Sequence, residues 1–161
     1  MENNKYVKLH SLLRMLAALL AIAVFISMFV AKQALRVPEK PQQDYAFPSA
    51  FFGDSAVRIN GNVLAFVGYI LVILGGLAGL AFVFIDEMIG KDLTKKLSFV
   101  VGGLMVLGGI FIAIFFPVFK AVNNLPDGAY TTSAAPIVFG VLGFIAGAIN
   151  IAAPILEDKG L

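Results

Sequence analysis

The order of apolar and polar positions divides this chain into four long apolar runs and three polar connections. The runs cover about residues 12–31 (with "MLAALLAIAVFISMFVA" at its centre), 63–85, 97–119 and 134–156. Each supplies enough consecutive apolar side chains for a helix that crosses a bilayer. A helix of that length measures about 34 Å, against a hydrocarbon core of about 30 Å. The connections are an outer loop over 32–62, an inner loop over 86–96 and a second outer loop over 120–133. "IDEMIGKDLTKK" (85–96) is short and charged, and the second outer loop holds a Pro-Asp-Gly turn signal at 126–128. The expected fold class is an all-α integral membrane protein. It would form one domain over residues 1–161, a four-transmembrane-helix bundle with a longer first extracytoplasmic loop.

Within the runs, glycine recurs at a fixed spacing. Gly68 and Gly75, Gly102 and Gly109, and Gly140 and Gly147 are pairs seven residues apart, one pair in each of the last three runs. Gly79 and Gly143 extend two of these faces with four-residue spacings to Gly75 and Gly147. A seven-residue repeat drifts only about 20° around a helix, so each pair marks one face. In lipid, helices gain little by burying apolar surface against one another, and small residues let backbones approach instead. These glycines are therefore expected to be helix-packing positions. The first run has Ala23, Ser27 and Ala31 at four-residue spacing for the same purpose. Gly103 and Gly108 fall off the Gly102/Gly109 face of the third run, so that helix is expected to touch neighbours on more than one side.

Composition strengthens the membrane reading. Charged residues make up 14% of the chain, where a soluble domain carries about 25%. A net charge of +2, dispersed along the chain, does not point to nucleic acid. The chain has no cysteine, which excludes thiolate catalysis and thiolate metal sites. Lys5, Lys8, Arg14, Lys91, Lys95, Lys96 and Lys159 fall on one side of the four-run topology. Lys32, Arg36, Lys40, Arg58 and Lys120 fall on the other. The positive-inside rule then places both termini in the cytoplasm of a multi-pass cell-membrane protein. The first run lacks a small-x-small cleavage triplet, since Lys32 follows "FVA", and is expected to be retained as a span.

Chemistry is sparse. No ionisable residue lies near the centre of any run, which sets the chain apart from small multidrug transporters with a carboxylate in the first helix. Asn150 is the strongest intramembrane polar candidate, expected either to bond within the bundle or to face a ligand or conduction path. Tyr69 reads as an interface anchor and His10 as a headgroup contact. Asp86 and Lys95 continue the glycine registers into the inner loop, where they either pair at the inner boundary or stand solvated. No nucleophile–base pair and no metal-ligand cluster emerges, so no catalytic residue, metal or cofactor is expected, and an enzyme is not.

The first outer loop is too short to build its own core. Its aromatic group, Tyr45, Phe47, Phe51 and Phe52, is a candidate contact surface for a partner, or else folds back onto the membrane interface. The layout resembles that of claudin-like tetraspan proteins in topology alone: the tryptophan and paired cysteines of that family's first loop are missing, and no residue role carries over. The functional expectation is a non-enzymatic tetraspan structural or accessory subunit. It would act through helix packing and its first outer loop, in lipid, with a second copy or a partner membrane subunit. The alternative is a small channel or transporter component with a pathway between glycine-lined helices.

Overall fold

The computed structural model of the protein describes residues 9–31, 34–36, 46–55, 59–128 and 130–159, without the side chains of Asp86 and Glu87. Among these residues the fold is all-helical apart from two two-residue strands. Four long helices, α1 (Leu9–Val30), α3 (Val63–Ile89), α4 (Lys91–Ala113) and α6 (Ala134–Asp158), form the bundle. Short helices α2 (Phe47–Phe52) and α5 (Phe115–Val122) lie with strands β1 (Leu35–Arg36) and β2 (Thr131–Thr132) at one end. We call that end distal. The proximal end holds the start of α1, the α3–α4 junction and the close of α6.

The buried positions explain the architecture. In α1 His10, Arg14, Ala17, Ala21, Val24 and Met28 alternate by four and three, with Ala18 buried beside them. The same alternation runs through Ala65, Tyr69, Val72, Gly76 and Gly79 in α3. It recurs through Ser98, Gly102, Met105, Gly109 and Ile112 in α4 and Gly140, Gly143, Gly147, Asn150 and Pro154 in α6. A seam of this period favours a small crossing angle with side chains interlocking across the contact. Consecutive long helices are neighbours and α6 closes the ring against α1, so α1 and α4 face each other across the interior.

All four apolar runs are helical, and each long helix is apolar enough to cross a membrane. The differences lie at their ends. The stretch 86–96, expected to be a loop, is helix on both sides of Gly90, the residue that alone separates α3 from α4. Gly90 takes φ +83°, a left-handed conformation open to glycine, and this one residue turns the chain back. The third run breaks after Ala113 because Pro117 has no N–H for the Ala113 carbonyl. The chain restarts as α5, where Pro117 sits harmlessly in the first turn. The Pro-Asp-Gly signal forms its turn, with Gly128 at φ +83°.

The described part of the first connection is folded onto the distal end. Leu35 and Arg36 pair antiparallel with Thr132 and Thr131. The α2 segment loops back on itself through an Asp54–Ile59 bridge and a hydrogen bond from Asn62 N to Ala50 O of 2.9 Å. Asn60 and Asn123 exchange two hydrogen bonds of 2.7 and 3.0 Å, tying this loop to the end of α5.

Candidate functional site

The seam glycines meet other helices of the same chain. A Cβ placed on Gly68 would stand 2.7 Å from the Gly108 carbonyl oxygen, and one on Gly108 2.6 Å from that of Gly68. On its other side, α4 lies backbone against backbone on α6. A Cβ on Gly109 would stand 2.5 Å from Phe144 N, one on Gly140 2.6 Å from Ala113 N, and one on Gly147 2.7 Å from Gly102 O. Gly102 in turn faces Ile151 and Gly147. Gly143 receives Val72 and Gly109. The four-spaced Gly75 and Gly79 do not share a partner: Gly75 makes room for Met105 and Gly79 for the Asn150 amide. In α1 the packing face is Ala17, Ala18 and Ala21, with Ala21 against Gly76, while Ala23 is exposed. The 23-27-31 spacing misses the face because α1 follows its 4–3 alternation through Ala21 and Val24.

Inside this frame, polar side chains line the interior at three levels. At the proximal end Arg14, 1% exposed, reaches from α1 across the bundle. Its Nη2 lies 3.5 Å from Glu157 Oε2 of α6 and 3.5 Å from Ser98 Oγ of α4. Those separations exceed the 2.7–2.9 Å of a tight charge-assisted bond, and Arg14 Nε has no hydrogen-bond partner. His10 is buried in the same end rather than turned outward to a headgroup. Lys95 pairs with Asp158, fastening α4 to α6. The expected Asp86 partner has its side chain outside the described residues.

Two turns deeper is Asn150, fully buried, in the cleft that Gly79 leaves open. Its Nδ2 donates to Met105 Sδ at 3.6 Å, a weak acceptor, and its Oδ1 has no partner. Beyond Asn150 comes an apolar layer with one fully buried side chain from each long helix: Val24, Val72, Met105 and Ala146.

The distal level corrects two expectations. Tyr69 is not an interface anchor: it is fully buried, 5.6 Å ring to ring from Phe51 and 6.1 Å from Phe47. Phe47 and Phe51 are not an exposed contact surface. They stand one helical turn apart on α2, are 0% and 1% exposed, and pack on Phe115 as well as Tyr69. The physical reason is the six-residue helix itself, which puts positions i and i+4 on one face and points both rings into the bundle's mouth. Phe52, on the other side, stays 64% exposed and leans on Phe66. Tyr45 lies outside the described residues. Just before α3, Asn62 donates from Nδ2 to the Phe115 carbonyl at 2.9 Å. The Asn62 Oδ1 and the Tyr69 hydroxyl have no hydrogen-bond partner.

Sequence reasoning missed Arg14, Tyr69 and Asn62 as interior groups. The signal was register: Arg14 precedes Ala17, Ala21 and Val24 on one heptad face, and Asn62 and Tyr69 lead into Val72 on another.

The fold and its interior define a four-helix bundle of multi-pass membrane character, with a distal cap and buried polar side chains at three levels, the two nearer the proximal end separated from the distal one by an apolar layer. Comparison with known proteins finds no matching family, no matching curated protein and no matching solved structure.

Proposed function

We propose that this chain is a multi-pass cell-membrane protein with both termini cytoplasmic, a non-enzymatic structural or accessory subunit that meets its neighbour through the distal cap. The outward faces of the long helices support the bilayer as solvent. Leu19, Phe29, Leu74, Phe84, Val100 and Phe144 are each 48–73% exposed, one apolar girdle around the bundle. The observation that carries the subunit reading is the cap. Both distal connections are knit together by β1–β2, by Asn60–Asn123 and by Asn62–Phe115, and present Phe52 outward from a fixed base. A fixed apolar residue on a braced surface keeps its ordering cost low when a partner docks.

The test is photo-crosslinking in native membranes with a photoreactive residue at Phe52 and, as a reference, at the girdle residue Leu74. The expected result is a discrete protein adduct from position 52, whose mass distinguishes a second copy from another subunit, and lipid adducts from position 74. Lipid adducts from both positions refute the reading.

A second reading, a small channel or transporter component, is favoured by the buried polar levels, and solute flux into vesicles of the purified wild-type protein tests it directly.

A further inference from the structure

We infer that the bundle interior holds water at two levels, and that the layer of Val24, Val72, Met105 and Ala146 between them is the barrier that closes a hydrogen-bonded path along the axis. The inference rests on the second reading above.

Among the described residues, four buried polar atoms have no partner: Asn62 Oδ1, Tyr69 Oη, Asn150 Oδ1 and Arg14 Nε. Their residues are at most 2% exposed and come from α1, α3, α6 and the residue that leads into α3. An unpaired polar group in a dry interior costs about 1–3 kcal/mol, and a surrounding bilayer offers no donor or acceptor. Polar partners must therefore come from inside the bundle, and water is the group that satisfies scattered donors and acceptors there.

The atoms fall into two pairs. Asn62 immediately precedes α3 and Tyr69 lies two turns into it; a tyrosine on a helix points back toward the helix start, so the hydroxyl leans toward Asn62. On the proximal side Asn150 and Glu157 are likewise seven apart on α6, as are Met105 and Ser98 on α4. The Asn150 amide thus stands two turns above the Arg14–Ser98–Glu157 group.

Between the pairs lies the layer. Val72 packs into Gly108 and Gly143, Met105 into Gly75 one turn further along, and Ala146 sits between Gly143 and Asn150 on α6. Val24 follows Ala21, the residue against Gly76, by one turn. All four are fully buried and fall within about one helical turn, roughly 5 Å. A short constriction lined by apolar side chains excludes water by dewetting and stops protons with it.

The test uses the full chain in vesicles containing a pH-sensitive dye. Val72→Thr with Ala146→Ser adds two hydroxyls to the layer at almost unchanged volume, so no void is created. Proton influx is expected to rise about tenfold over wild type. The outward-facing pair Leu77→Thr with Ile145→Ser is expected to match wild type. Adding Asn150→Leu to the layer variant removes a water anchor and is expected to return influx to the wild-type rate.

Influx from the layer variant no faster than from the outward-facing pair overturns the inference. So does influx that Asn150→Leu leaves undiminished, since the leak would then be a packing defect. If the double variant fails to give a helical monodisperse protein, Val72→Thr alone is measured against Leu77→Thr, with the same two outcomes. Solute flux by the wild type tests the channel reading separately, so failure of one is distinguishable from failure of the other.

Discussion

Replacing Gly109 with alanine, beside the same change at Gly103, isolates the close approach of α4 and α6. Both glycines lie inside α4, so both gain the same helix propensity, up to about 1 kcal/mol. Their surroundings differ. A Cβ on Gly103 meets nothing within 4 Å. A Cβ on Gly109 would stand 2.5 Å from Phe144 N, 2.7 Å from Gly140 O and 3.0 Å from Gly143 C, all backbone atoms of α6. Backbone cannot rotate aside as a side chain can, so the helices must separate by about 0.9 Å before the nearest contact reaches an ordinary 3.4 Å. A gap of that size forfeits about a quarter to a half of the dispersion energy of each atom pair along the seam. The Gly102–Gly147 and Gly140–Ala113 contacts belong to the same seam and loosen with it. The expected cost is about 2–3 kcal/mol, in the upper part of the range for overpacked interiors. Unfolding of both variants in mixed micelles of increasing SDS content, followed by helical circular dichroism, measures the difference. Gly103→Ala is expected at or above wild-type stability and Gly109→Ala well below it. Two variants within about 0.5 kcal/mol of each other would refute the reasoning, because that is the scatter of uninvolved surface positions.

Arg14→Leu leaves Glu157 partly buried without its cation and is expected to lower thermal stability by about 3 kcal/mol. Arg14→Leu with Glu157→Leu is expected to recover most of that loss, and equal stability of single and double variants would show that the pair is not coupled. The Asp127 carboxyl is held below its ordinary value of 3.8 first by the hydrogen bond from Lys120 and then by that ammonium's charge. Its contribution is therefore complete above pH 3.8 and fades as the pH falls through the lower folded value. Lys120→Met should move the Asp127 titration, followed by NMR, back up toward 3.8.

Hydropathy located the four long helices because it reports the solvent a segment prefers, and that preference is set residue by residue. It misjudged 86–96 for the same reason. The charges there record exposure to a polar medium and say nothing of backbone state, so a helix continuing past the apolar run looks like a loop. The seam glycines were legible from their seven-residue period. Their partners were not, since nothing in the spacing says that Gly79 opens onto Asn150 while Gly75 opens onto Met105. Four-residue spacing in a proline-containing loop does not announce a one-and-a-half-turn helix, so Phe47 and Phe51 read equally as a contact patch or as rings folded onto the membrane interface. Arg14 was counted as a charge that fixes orientation. Its place among Ala17, Ala21 and Val24 on one face would have drawn it inside.

The distal cap has a consequence for the order of assembly. Three of its ties join the first connection to residues 115–132: Asn62 to Phe115, Asn60 to Asn123, and β1 to β2. About a hundred residues separate Leu35 from Thr132, roughly 5–20 s of synthesis for a chain made from its N-terminus. During that interval Phe51 already has Phe66 and Tyr69 of the adjoining α3 to rest on. The lid is therefore seated on its hinge helix before the far wall exists, and the arrival of α5 and β2 locks it down.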